Sequence, residues 1–343
     1  MLKEEFIKIC IDHKFWQWIK NKSIVPYKEV NNKKEFLESL YQKITTRNYY
    51  PIPPLEYLTI NKGNSVVRIV PVFSLEDLCV YYYCVRKLES FIAVNHVNGT
   101  YGGFGLSGTL RKVEEKAFTE LKNSEDSFNE NDDQFIFDQN QYGELSALNS
   151  KAWFAEWHDF SKKLYFTSAQ QDFQFVAELD ISNFYDSIQL DHLEFKLRKQ
   201  IPNDKSDIIY LLLHFLRFWN RHINFYKQQG AGLPQDLFGE CSRILANFYL
   251  QDYDRRISDF CNSQNASFFR YADDQIIFAK TKEELQNIIA KASSLLMREG
   301  LNFNQKKVKI MSLSEFNEYF AFENFSNLLP NDNNPPSIKA VEF

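Results

Sequence analysis

Tyr271-Ala272-Asp273-Asp274 sets two adjacent carboxylates inside an apolar run, Phe268 to Phe278. Apolar residues on both sides predict two short strands with the acids on the turn between them. Adjacent acids between apolar strands repel each other unless a cation sits there. Magnesium suits the position, because it takes one or two carboxylates and completes its shell with water and phosphate oxygens. A solvated Asp-Asp hairpin turn satisfies the same four residues, so the question is whether another carboxylate lies upstream. Asp180 does, at the end of a stretch in which Phe173, Phe175, Ala177 and Leu179 alternate on one face of a predicted strand, leaving Asp180 on the opposite face. Two strands that place Asp180 beside Asp273 suit a pair of metal ions about 3.5–4 Å apart, one activating a hydroxyl and one stabilising a leaving pyrophosphate.

These acids need elements behind them. Lys282 to Glu299 is predicted as a helix with Leu285, Ile288, Ile289, Ala292, Leu295 and Leu296 on one face. Thr281 and Glu284 form a capping-box pair at its start, and Gly300 suits its end. An N-terminal helix carries Phe6, Ile9, Cys10, Phe15, Trp16 and Ile19, Pro51, Pro53 and Pro54 break the chain, and Asp77 to about Phe91 reads as a buried helix. Gly103-Phe104-Gly105-Leu106-Ser107-Gly108 satisfies the dinucleotide-binding glycine pattern, but no buried strand precedes it and no βαβ unit encloses it. It is expected to be a flexible loop. Lys122 to Asp133 is polar and acidic and reads as an inserted loop, and the last twenty or so residues read as a disordered or extended tail.

The 343 residues are 44% apolar, enough for one large or two modest cores. No run reaches membrane-spanning length and no apolar-cored leader opens the chain, so a cytoplasmic protein without membrane contact is expected. Cys10, Cys79, Cys84, Cys241 and Cys261 are odd in number and lack metal-ligand spacing, which predicts reduced, buried thiols. The net charge of −5 is unusual for a protein that grips phosphate backbones. Lys196, Arg198, Lys199, Arg217, Arg221 and Lys227, with Lys306, Lys307 and Lys309 further on, would either line a nucleic-acid channel or solvate helix faces.

Asp180-x-x-x-Phe184-Tyr185-Asp186 resembles the first palm motif of reverse transcriptases, and Tyr271-Ala272-Asp273-Asp274 resembles their third. Between them, Gly232-Leu233-Pro234-Gln235 and Ser242 to Leu250 are similar to the second, whose loop and helix grip template and incoming nucleotide. Lys62 to Pro71 resembles the fingertip hairpin, and Asn304 to Val308 the fourth palm motif. The resemblance, over about residues 50 to 322, implies an α+β right-hand polymerase: fingers and palm, an antiparallel palm sheet backed by helices, and a thumb reduced or absent. The implied organisation is an N-terminal helical extension over 1–50, fingers over 51–165 with an acidic loop near 122–150, a palm over 166–322 and a tail over 323–343.

The same resemblance implies residue roles. Asp180, Asp273 and Asp274, with the backbone carbonyl of Ile181, would hold two Mg2+ ions, with Mn2+ as a substitute. Lys62 and Arg68 would clamp the triphosphate, charge-assisted bonds to phosphate being what those side chains supply. Tyr185 would block a ribose 2′-hydroxyl, Gln235 would touch the nascent pair, and Lys307, better placed than Lys306, would aid the leaving group. Asp186 reads as a cap of the next helix. Deoxynucleoside triphosphates, an RNA template or noncoding RNA and a DNA product are the expected partners, with a second copy or another subunit in place of the thumb.

Two departures from the family stand out. Asp236 replaces the usual Gly after Pro-Gln, with a longer stretch to Ser242, and little follows the palm. Both point toward bacterial abortive-infection and defence-associated reverse transcriptases, with retron-type enzymes as the nearest alternative. A reading from another class is a noncatalytic nucleic-acid-binding protein that keeps the fold.

Overall fold

The computed structural model describes residues 2–11, 15, 16, 19, 27, 30–61, 67–93, 95–103, 105, 106, 153–169, 172–220, 228–235 and 240–328. In chain order its elements are α1 (Lys3–Cys10), α2 (Lys33–Thr45), β1 (Glu56–Asn61), β2 (Val67–Val72), α3 (Leu75–Ala93), β3 (Thr100–Tyr101), α4 (Trp153–Ser168), β4 (Phe175–Asp180), the single turn α5 (Phe184–Ser187), α6 (Leu190–Gln200), α7 (Ser206–Phe218), α8 (Glu240–Ser263), β5 (Ser267–Tyr271), β6 (Asp274–Ala279), α9 (Lys282–Arg298), β7 (Lys309–Ser312) and α10 (Leu313–Leu328). β1 and β2 form a separate antiparallel hairpin, and the other strands make one sheet in the order β3-β5-β6-β4-β7.

Alternation along the strands divides this sheet into two dressed faces. Ala177 and Leu179 of β4, Ile277 and Ala279 of β6 and Phe268 of β5 join the large core with α3, α6, α7, α8 and α9. Val176, Ile276, Phe278 and Phe269 point the other way, to Phe160 and Leu164 of α4 and Phe316 of α10. Phe173 precedes β4 and packs on this second side, so it does not share the Ala177–Leu179 face as alternation alone predicted. With both faces covered, shifting one strand by a residue would exchange its two buried sets, and register is tightly specified.

Helix α9 starts with both hydrogen bonds of the Thr281–Glu284 capping box and buries Leu285, Ile288, Ala292, Leu295 and Leu296. Gly300 follows at φ +74°, a left-handed conformation that favours glycine. α3 is buried over most of its length, as its Leu-, Val- and Tyr-rich sequence predicts. It is tied to α8 where Tyr81 meets the Ser242 hydroxyl at 2.7 Å and Gln251 donates to the Ile92 carbonyl at 2.6 Å. Phe6, Cys10, Phe15, Trp16 and Ile19 belong to the same core.

Several expectations change. The sheet is not purely antiparallel: Thr100 and Tyr101 pair in parallel with Arg270 and Tyr271, adding β3 to the edge beside the acidic turn. Asp186 does not cap the next helix; it is exposed in α5, while the N-cap of α6 is Gln189, which makes no side-chain cap. The chain beyond 322 is not simply a tail, because α10 continues through Leu328. Lys196, Arg198 and Arg217 are paired with acids: Lys196 with Glu299 and Asp252, Arg198 with Glu194, and Arg217 with Asp191 and Glu194. All five cysteines are free and buried. Among the described residues no helix is long and apolar enough to cross a membrane. The acidic loop near 122–150, Lys62, Arg221, Lys227 and Asp236 lie outside the described residues.

Candidate active site

β4 and β6 run antiparallel with Asp180 directly opposite Asp274, and β5 and β6 close a hairpin with Tyr271 opposite Asp274. Only Ala272 and Asp273 therefore form the turn, and Asp274 is the first residue of β6. Cross-strand partners project from the same face, so Asp180 stands beside Asp274, with Asp273 on the adjoining turn. The turn is joined to β4 through its backbone, where the Ile181 N–H donates to the Asp273 carbonyl at 3.2 Å. Ala272 is held at φ +52°, which costs a residue with a Cβ about 1–2 kcal/mol. Behind Tyr271, Trp157 and Phe160 pack at 4.9 and 5.7 Å between ring centres.

The three acids crowd one edge of the sheet. Asp180 is nearly buried, Asp273 half-buried and Asp274 exposed. Dehydration and then the charges of Asp273 and Asp180 push the Asp274 carboxyl up to about 7, with Lys307 opposing the rise. Lys307 donates to Asp180 Oδ1 at 2.7 Å, and that bond holds the ammonium above its usual range. The lysine is delivered by a turn that is itself bonded to the strand, Asn304 N–H donating to the Asp180 carbonyl at 2.8 Å. Lys306 is exposed and takes no such place.

Among the described residues no set of three or more His, Cys, Asp or Glu converges closely enough to enclose a metal ion. The chemistry of the donors still suits a hard divalent cation: oxygen ligands from opposed strands, one of them driven toward protonation by the charge of the others. Lys307 supplies a single positive charge to Asp180, while Asp274 is raised by dehydration first and by the charges of Asp273 and Asp180 after it.

Tyr185 lies half-buried beyond the end of β4 with its ring against Phe184. Burial pushes its phenol up to about 12; Asp273 adds to the rise, and Arg243 and Arg68 oppose it. Tyr185 thus feels charge from the acidic turn, from Arg243 and from the exposed Arg68 of the β1–β2 hairpin. The Leu233 N–H donates to the Tyr185 carbonyl at 2.9 Å, which seats the Pro234-Gln235 loop beside it, and Gln235 is half-buried there. Ser242 donates to the Pro234 carbonyl and so holds the loop to the start of α8.

Residue-type reasoning missed two groups. Arg243 lies against Gly103, where a Cβ would stand 2.7 Å from its Nε, and that Nε has no hydrogen-bond partner among the described residues. Gly102 and Gly103 are thus not a loose loop: both are buried, Gly103 against the Arg243 guanidinium and Gly102 against the turn backbone, where a Cβ would meet the Ala272 nitrogen at 2.9 Å. The second group is Arg270 with Asp254 and Asn247, buried behind the turn. A charged residue in the middle of an apolar strand was the available signal.

A model of the family described as reverse transcriptase (RNA-dependent DNA polymerase) matches residues 107–335, more than half of the chain. The chain belongs to the reverse transcriptase family. Retron Ec83 reverse transcriptase from Escherichia coli is 29% identical over 124 residues, which cover 36% of this chain and 38% of that protein. Among solved structures, apo telomerase from Candida tropicalis is 12% identical with a TM-score of 0.42, over 81% of this chain and 49% of that one. The same telomerase truncated from its C-terminal domain gives 12% identity and 0.38, over 81% of this chain and 55% of that one. The chain thus spans less than two thirds of the length of each of these relatives.

Proposed function

We propose that this reverse transcriptase is a magnesium-dependent, RNA-directed DNA polymerase. The observation that carries the reading is the in-register opposition of Asp180 and Asp274, with Asp273 on the adjoining turn and Asp274 pushed up to about 7 by dehydration and by its acidic neighbours. Asp180, Asp273 and Asp274, with the Ile181 carbonyl, would hold two Mg2+ ions. When bound, such ions lower the pKa of an attacking hydroxyl and stabilise the charge of a leaving pyrophosphate.

The chain's own residues then position and neutralise. Arg68, with Lys62 on the same hairpin, would hold triphosphate oxygens through charge-assisted bonds. Tyr185 would lie under the sugar and exclude a 2′-hydroxyl, and Gln235 would bear on the nascent pair. Lys307 would leave Asp180 as substrate binds and turn its charge toward the departing phosphates. Since covalent help from protein is small in such transfers, orientation and electrostatics should carry the rate.

The test is incorporation of each labelled deoxynucleotide by the purified full chain with whatever nucleic acid copurifies. Magnesium-dependent extension that Asp273→Ala abolishes is expected; retained extension in that variant, or equal use of ribonucleotides, would remove the metal site or the Tyr185 gate from the reading.

A role in bacterial anti-phage defence, with noncoding-RNA-guided, protein-primed or untemplated synthesis, is supported by Asp236 and the lengthened path to Ser242. A retron-type enzyme is the second reading, favoured by the match to the Escherichia coli retron protein. Nuclease or protease treatment of the product separates them, since only a protein-primed product would shift on proteolysis and only an RNA-linked one on ribonuclease.

A further inference from the structure

We infer that Arg270 is a positioning residue for the acidic turn, and that its planar fork, more than its charge, sets how tightly the site takes a divalent cation. This rests on the metal-binding reading of Asp180, Asp273 and Asp274. Alternation along β5 turns Tyr271 toward the second core and Arg270 toward α8, so the guanidinium lies behind the turn, fully buried. All three of its nitrogens are engaged there. Nε and Nη2 reach the two oxygens of Asp254 at 2.7 and 2.6 Å, and Nη1 reaches Asn247 Oδ1 at 2.8 Å and the Ala272 carbonyl at 2.6 Å.

The last bond gives the arginine a role beyond tying β5 to α8. It grips the carbonyl of the one turn residue held at positive φ. On the other side, the Ala272 N–H donates to the Tyr101 carbonyl at 3.3 Å, and Gly102 leaves room for that approach. Asn247 completes the frame by donating to the Gly103 carbonyl at 2.8 Å. Ala272 is thus held from both ends of its backbone, and the Asp273 carbonyl that follows is the one bonded to Ile181 beside Asp180. Lysine would keep the charge but offers a compact ammonium, which cannot span a bidentate carboxylate, an amide and a backbone carbonyl at once.

The experiment is Mn2+ binding followed by electron paramagnetic resonance on the full chain, for wild type, Asp180→Asn, Arg270→Lys and the double variant Arg270→Lys/Ala272→Gly. Arg270→Lys should bind Mn2+ about 10- to 100-fold more weakly, the usual cost of losing a residue that orients metal ligands. Adding Ala272→Gly should recover several-fold of that loss, because glycine adopts positive φ without a clamp. A purely structural ion pair would show no such rescue. Wild-type affinity in a folded Arg270→Lys protein, or a double variant no better than the single, overturns the inference. If Arg270→Lys does not fold, Asn247→Ala keeps the Arg270–Asp254 pair and should still weaken Mn2+ several-fold; unchanged affinity there also overturns it. Wild-type Mn2+ binding that Asp180→Asn leaves untouched would instead sink the metal-site reading itself.

Discussion

The two sides of the Asp-Asp turn carry charge in opposite ways. In front, Asp180, Asp273 and Asp274 crowd an open edge with Lys307 as the cation bonded to Asp180. Behind, Arg270 and Asp254 form a bidentate pair with both partners buried and every described bond made. The rear pair is closed and rigid, and the front is left short of positive charge. A fold built only for stability would not leave such a cation-poor front a few residues from the closed pair behind it. The difference separates a closed scaffold from an edge where a cation would be accommodated.

The comparison breaks hardest at the front. Replacing Asp180 or Asp273 by Ala should cost about 10³-fold or more in nucleotide incorporation, several kcal/mol of lost charge stabilisation. Circular dichroism should show the fold intact, and a melting temperature no lower than wild type is the sharper sign that these acids repel.

Behind the turn the effect should fall on stability first. Asp254→Ala leaves a buried guanidinium without its carboxylate and should destabilise by about 3–5 kcal/mol in denaturant unfolding. A loss below about 1 kcal/mol would mean that Arg270 is not sealed from water as the structure has it.

A smaller effect comes from pH. Asp274, held near 7 in the folded state against about 3.9 when unfolded, binds an extra proton on folding between those values. Metal-free protein should therefore lose stability as pH rises from about 4 through 7, by about 1 kcal/mol or less once solvent screening at this exposed residue is counted. Melting curves in chelator across that range check the sign; Asp274→Asn should flatten the dependence, and so should saturating Mn2+.

Smallest of all is the Lys307 ion pair. With the lysine mostly exposed, Lys307→Met should shift stability by under about 1 kcal/mol. Metal binding should tighten as a competing cation leaves Asp180, while turnover falls if the lysine serves the leaving group. Separate titration of binding and turnover distinguishes the two effects.

Much of the site was legible because its signals are local. Two apolar runs ending in acids, a Pro-Gln loop between them and a capped helix after them need only residue order and the alternation of a strand. Asp180, Asp273, Asp274 and the α9 capping box are of that kind. Register was not legible: alternation said that Asp180 leaves the strand on one face, but pairing with Asp274 rather than Asp273 depends on where the hairpin turns. Gly102 and Gly103 show the same limit, since a glycine's purpose lies in what approaches it, here the turn and Arg243 from far along the chain.

By itself the sequence determined which groups are candidates for the chemistry, how the strands alternate and which family the motifs resemble, because these follow from residue type and short-range spacing. Only the tertiary structure decided that Arg270 faces Asp254 and Asn247 and grips Ala272, that Lys307 rests on Asp180, and that Lys196 and Arg217 are spent on neighbouring acids. The partners of a charged group come from distant parts of the chain, and packing determines which of them reaches it.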